Sequence, residues 1–189
     1  MEIGLTIIGV LSLFLYIWYA KIISRRNAAQ SALSGIDVQL TKRSELVPNI
    51  LAIAKKFMEH ENSLIREVTA LRAKATEGYD QLNPESVAQH LSTSAALGSQ
   101  MGKLMISMEA YPDLKSDTAM VTAQQTYNEV EAQIAAARRF YNSSVAELNN
   151  SIEIFPGTLL AGIANSKTMP FFEADDAALQ PVNASDYLK

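Results

Sequence analysis

Residues 3–20 read IGLTIIGVLSLFLYIWYA and contain no charged side chain. Ile22 and Ile23 extend the apolar run beyond Lys21, so at about 1.5 Å per residue it can cross a hydrocarbon core about 30 Å thick. A cleaved signal peptide begins with a basic region and ends at a cleavage site of small residues, but only two residues precede this run and Trp18-Tyr19-Ala20-Lys21 is a poor cleavage site. The sequence therefore predicts a transmembrane anchor over residues 1–23.

Aromatic and basic residues gather at the C-terminal end of this run, where they predict contact with the membrane interface. The predicted interface residues are Tyr16, Trp18, Tyr19, Lys21, Arg25 and Arg26. The N-terminal flank carries only the α-amino group against Glu2. Because lysine and arginine concentrate on the cytoplasmic side of membrane helices, the charge difference predicts that most of the chain lies in the cytoplasm.

The remainder of the sequence has a helical pattern, because apolar residues recur every three or four positions and no stretch alternates with a period of two. Four apolar stripes begin at Ala28, Val47, Val87 and Tyr127. Helices of about 20 to 40 residues that are joined by short loops are expected to run antiparallel and bury their stripes together. We therefore predict an all-α fold in which the anchor continues into an elongated antiparallel four-helix bundle over residues 24–163.

Proline and asparagine residues suggest where these helices begin and end. Asn83 is a natural N-cap with Pro84 in the first helical position. Pro48, with Ser44 or Glu45 just before it, predicts the end of one helix and the start of the next. The last residues, 164–189, combine sparse apolar side chains with an acidic pair and predict an irregular acidic tail.

Composition excludes several kinds of site. The 189 residues include no cysteine, so disulfides, thiolate metal sites and cysteine nucleophiles are absent. A net charge of −4 argues against a nucleic-acid partner, because binding to phosphates requires an excess of basic residues. A zinc protease motif beginning at His60 would need a second histidine at position 64, which is Leu64. His90 stands alone, and a solvated helix face is the simpler interpretation of both histidines.

We therefore predict no catalytic, cofactor-binding or metal-binding residues. A stripe of methionines in the third helix, with Met101, Met105 and Met108, fits packing better than copper binding.

Several segments together resemble the LemA family of membrane-anchored bacterial helical proteins. They are LTKRSELVPN at 40–49, FMEHE at 57–61, ARRFYN at 137–142, IEIFP at 152–156 and FFE at 171–173. The resemblance implies a single-pass anchor in the bacterial cytoplasmic (inner) membrane, a helical bundle and no established catalytic activity.

These features predict a non-enzymatic, membrane-anchored scaffold or adaptor that assembles into homo-oligomers, with the lipid bilayer and another membrane protein as further partners. The small residues Ala135, Ala136 and Ala137 permit close helix approach and form our candidate self-association face. We also expect ion pairs between arginines and glutamates of these helices, namely Arg43, Arg72, Arg138 and Arg139 with Glu67, Glu131, Glu147 and Glu153. A buried pair of Arg43 with Glu153, if the two lie close together near the end of the bundle, would fix helix register. The alternative is a sensor or regulator of a membrane protease or signalling partner.

Overall fold

A computed structural model describes residues 2–58 and 60–173. Its longest element, α1 (Glu2–Ala54), is a single helix of 53 residues that contains the predicted anchor at its N-terminal end. At 1.5 Å per residue it is about 80 Å long. We call the remainder of the described chain, in which the helices pack on one another, the folded part. The predicted anchor and the first helix of the folded part are therefore one continuous helix.

The predicted helix break at Pro48 is wrong, because α1 continues through this residue to Ala54. A proline inside a helix cannot donate to the carbonyl four residues earlier. That carbonyl belongs to Ser44, and it accepts a hydrogen bond of 2.8 Å from Nε of Arg72 instead. The lost backbone hydrogen bond is thus replaced by one from a side chain of the neighbouring helix, and α1 ends only at Ala54.

The remaining helices are α2 (Asn62–Ala75), α3 (Pro84–Met108), α4 (Pro112–Ser116), α5 (Thr118–Glu153) and α6 (Gly157–Leu160). The predicted cap of α3 is confirmed, since the side chain of Asn83 accepts from the backbone N–H of Glu85. Asp117 caps α5 in the same way through the N–H of Met120. The described residues contain helices and no strands, which confirms the all-α fold.

Two apolar clusters hold these helices together, and α1 packs mainly on α5 while α2 packs mainly on α3. The proximal core lies nearer the anchor and draws on α1 from Ile22 to Leu40 and on α5 from Val130 to Ile152. The distal core joins the end of α1 to α2, the second half of α3, α4 and the first part of α5. Met101 and Met108 are fully buried in it, as packing predicts. The more specific four-helix bundle stays a prediction.

An irregular segment after α6 returns along α5. Asn149 forms two hydrogen bonds with the backbone of Met169, and Asn142 forms two with the backbone of Phe172. Phe172 is buried in the proximal core. Residues 164–173 of the predicted tail therefore lie against the folded part, whereas residues 174–189 fall outside the described residues.

Candidate membrane interface and assembly surface

The first part of α1 projects alone from the folded part. Its large apolar side chains from Ile3 to Phe14 are exposed, and Leu15 is the first that packs against the proximal core. An 18-residue window of this helix has a mean hydropathy of 2.0 and is entirely unburied. It is the one helix among the described residues that is long and apolar enough to cross a membrane.

Aromatic side chains connect this segment to the folded part. Nε1 of Trp18 donates to the carbonyl of Ser151 near the end of α5, at 3.3 Å. The ammonium of Lys21 lies 4.7 Å from the centre of the Trp18 ring. Tyr19 packs partly against the proximal core, whereas Tyr16 is exposed. Of the three predicted interface aromatics, two are therefore also contacts between the anchor and the folded part.

The two predicted interface arginines both bind the protein itself. Arg25 forms an ion pair with Glu147 on α5. Arg26 donates to the carbonyl of Ala164 at 3.0 Å and so attaches the segment that follows α6. Lys21 is exposed, and its ammonium lies over the Trp18 ring. The arginines thus help to fix the fold at its membrane end.

The three candidate self-association alanines do not share one exposed face. Ala137 packs against the proximal core, Ala135 is half-buried and Ala136 is exposed. One turn beyond Ala136, the ring of Phe140 is 66% exposed. The accessible part of this surface is therefore Ala136 with Phe140, an aromatic residue that the sequence analysis did not single out for this role.

Arg43 is buried in the middle of the molecule, with its side chain 3% exposed. Its guanidinium donates to the Ser94 carbonyl at 2.5 Å and lies 3.3 Å from Oε1 of Glu131. A Cβ on Gly98 would lie only 2.9 Å from Nη1 of Arg43, so glycine makes room for this group.

The expected pairing of Arg43 with Glu153 is wrong, because its partner is Glu131. Glu153 lies 22 positions beyond Glu131 on the same helix, which is about 33 Å along its axis. The error came from assuming that the arginine lies at the end of the helices rather than at their middle. Burial raises the pKa of the neighbouring Tyr127, and the Glu131 carboxylate raises it further.

A second polar cluster surrounds Asp37 of α1. Its Oδ2 accepts from the hydroxyl of Tyr79 at 2.7 Å and from Nε2 of Gln81 at 2.8 Å. His90 stacks on Tyr79 with ring centres 4.0 Å apart, and its Nε2 lies 3.2 Å from Asp37 Oδ1 without the alignment of a hydrogen bond. Burial and hydrogen bonding to Asp37 raise the pKa of Tyr79.

The prediction of a solvated His90 is therefore wrong, because its side chain is only 10% exposed. The α2–α3 loop brings Tyr79 over the imidazole, and a loop contact of this kind has no periodic signal in the sequence. The sequence signal that could have indicated this polar cluster was Asp37, an acidic residue directly after Ile36 of an apolar stripe. His60 is exposed, and no group of three or more metal-ligand side chains occurs within residues 2–58 and 60–173.

Sequence comparison relates this chain to known proteins. The LemA family profile matches residues 32–185. The chain belongs to the LemA family. It is also 24% identical to the magnetosome protein MamQ of Magnetospirillum gryphiswaldense, over 93% of this chain and 74% of that protein. The magnetosome protein MamQ 2 of Paramagnetospirillum magneticum is 22% identical, over 95% of this chain and 75% of its own length.

Family membership and the apolar N-terminal helix together identify a membrane-associated helical protein. The family match begins at Ala32, so it covers most of the folded part and leaves the anchor to be judged from its own composition and exposure.

Proposed function

We propose that this protein is a non-enzymatic scaffold or adaptor that is anchored in the bacterial cytoplasmic membrane by one helix and assembles laterally with copies of itself. The observation that carries the proposal is the continuity of α1 from the apolar segment into both cores. A continuous helix transmits the orientation of the anchor to the folded part, so neighbouring molecules present the same surface at the same height. Confinement to a membrane raises the effective concentration of such surfaces.

The surface that we assign to lateral assembly is formed by Ala136 and Phe140 on α5. The exposed ring of Phe140 offers an apolar anchor, and Ala136 beside it allows another helix to approach closely. The buried polar groups support a structural role rather than a catalytic one. Arg43 and Asp37 have protein partners within hydrogen-bonding distance, and both hold separate helices or loops together.

A direct test compares the full-length protein with Ala136→Glu in a mild detergent, by light scattering coupled to gel filtration. Ala119→Glu is a matched control, because Ala119 is also exposed on α5 but lies about 25 Å away along the helix. We expect large discrete particles for the parent and the control, and smaller particles for Ala136→Glu with unchanged helicity. Equal particle sizes in all three would reject this surface, and a monomeric parent would reject self-assembly.

We propose that the folded part lies in the cytoplasm, and the support for this is the charge difference between Lys21, Arg25 and Arg26 on one flank of the span and Glu2 on the other. The chain contains no cysteine, so a single cysteine in place of the exposed Ile106 of α3 reports specifically on which side of the membrane the folded part lies. In intact cells a membrane-impermeant maleimide should leave Ile106→Cys unlabelled until the inner membrane is opened. Labelling of cells with only the outer membrane permeabilised would place the folded part on the opposite side.

A further inference from the structure

Besides the surface formed by Ala136 and Phe140, a second apolar surface follows the end of α5. It lies in a part of the chain that contains no charged residue. Residues 154–166 read IFPGTLLAGIANS. Four large side chains in this stretch are between 56% and 74% exposed, namely Ile154, Phe155, Leu159 and Ile163. We call residues 154–163 the apical loop. Exposed apolar side chains this closely spaced indicate a surface that is covered by another phase or molecule.

The apical loop lies at the membrane end of the folded part. The Trp18–Ser151 hydrogen bond fixes the end of α5 beside the start of the packed region of α1. Because α5 runs antiparallel to α1, residues beyond Ser151 continue towards the anchor. Ile154 borders the same surface groove as Trp18 and Lys21, and α6 within the loop contacts both α1 and α5. The loop therefore lies against one side of α1, where the free apolar segment begins.

The length of the free segment indicates what covers the loop. Within the described part of α1, the apolar stretch that projects without packing against the folded part is residues 3–14, and 12 residues of helix span about 18 Å. A hydrocarbon core is about 30 Å thick. For α1 to cross it, the hydrocarbon core must extend along α1 from Ile3 to beyond Trp18. The apical loop lies beside Trp18 and is therefore at the same depth.

We propose that the apical loop inserts into the bilayer interface beside α1 and forms a second contact of this protein with lipid. Phe155 and Leu159 enter the boundary between headgroups and acyl chains, as the apolar side chains of interfacial segments do. The exposed carboxylate of Glu153 just before the loop keeps the insertion shallow. Lys21 lies at the same level and Lys167 follows the loop, so both cations are available to anionic headgroups.

This contact gives the anchor an orientation that a single helix does not provide. A lone helix can rotate about its axis and tilt, whereas insertion of the loop on one side fixes the face of the folded part that points along the membrane. The proposal rests on the membrane anchor and does not depend on self-assembly.

The test uses the full-length protein in vesicles of phosphatidylcholine and phosphatidylglycerol whose acyl chains carry bromine. Single cysteines replace Leu159, Ile163, Ile8 or Ile106 and are labelled with an environment-sensitive fluorophore. Ile106 is a matched control, because it is 74% exposed like Ile163 but lies in the distal half. Ile8 reports on the anchor itself. We expect bromine to quench the labels at 159, 163 and 8, with blue-shifted emission, and to leave the label at 106 unaffected.

Each contrary result identifies what has failed. If the label at position 8 is quenched but those at 159 and 163 match the label at 106, the loop does not contact lipid and the proposal is overturned. Blue-shifted but unquenched labels at 159 and 163 would mean that another protein surface, such as a second copy, covers the loop, and would also overturn it. No quenching at position 8 would overturn the anchor and the proposal together.

Discussion

The segment after α6 is held against α5 by two asparagines that act as clamps. Asn142 Oδ1 accepts from the backbone N–H of Phe172 at 2.8 Å, and Asn142 Nδ2 donates to the carbonyl of the same residue at 3.0 Å. Asn149, two helical turns further on, holds Met169 in the same way. The side-chain amide of Asn142 supplies both the acceptor and the donor of these hydrogen bonds, and alanine supplies neither. We therefore expect Asn142→Ala to release the segment that Phe172 anchors.

The size of the effect follows from the two hydrogen bonds that the substitution removes. Each contributes about 0.5–1.5 kcal/mol, so docking of the segment should weaken by about 1–3 kcal/mol. When opening is fast relative to cleavage, proteolysis measures the population of the open form. We therefore expect trypsin to cut after the exposed Lys167 about 5- to 150-fold faster in Asn142→Ala.

Mass spectrometry of the fragments isolates this cleavage site from the others. Ser143→Ala is the control, because Ser143 is the exposed neighbour of Asn142. Asn142→Asp provides a finer comparison: its carboxylate still accepts from the Phe172 N–H but faces the Phe172 carbonyl without a proton to donate. It should also accelerate cleavage. If Asn142→Ala and Ser143→Ala are cut after Lys167 at the same rate, the clamp does not hold the segment.

Further predictions concern the stability of the folded part. Glu131→Gln should destabilise the full chain by about 1–3 kcal/mol, because it leaves the buried Arg43 without a countercharge. Adding Arg43→Met to the same chain should restore part of this loss, as measured by urea unfolding. An unchanged unfolding midpoint for Glu131→Gln would contradict this. Gly157→Ala should lower the melting temperature by several degrees, because its Cβ would lie 1.9 Å from the Ser151 carbonyl oxygen, whereas Gly102→Ala in open space should be neutral or stabilising. Burial raises the pKa of three tyrosines, Tyr79, Tyr127 and Tyr141. Since their unfolded forms release protons near pH 10, the stability they contribute is complete below that pH and is lost as pH rises above it. The phenolate absorbance at 295 nm that develops before any helicity is lost should therefore fall short of the value for all seven tyrosines by at least three, and ionisation of all seven in a fully helical protein would refute the assignment.

The error at Pro48 shows where sequence reasoning fails within a correctly predicted fold. The local rule that proline interrupts a helix considers only the backbone hydrogen bond that is lost. Whether a helix ends there depends on whether another group can satisfy the free carbonyl, and here Arg72 from α2 does so. That partner lies 28 positions away in the sequence, so the outcome required the packing of α2 beside α1.

The sequence by itself determined the helical class and the apolar N-terminal segment, because both depend on the spacing of apolar side chains along the chain. It also identified Asn83 as a cap, since capping involves residues only a few positions apart. Only the tertiary structure decided that Arg43 pairs with Glu131 and that His90 is buried beside Asp37. Those contacts join segments that are distant in sequence, so their geometry is set by how the helices align and leaves no periodic trace in the chain.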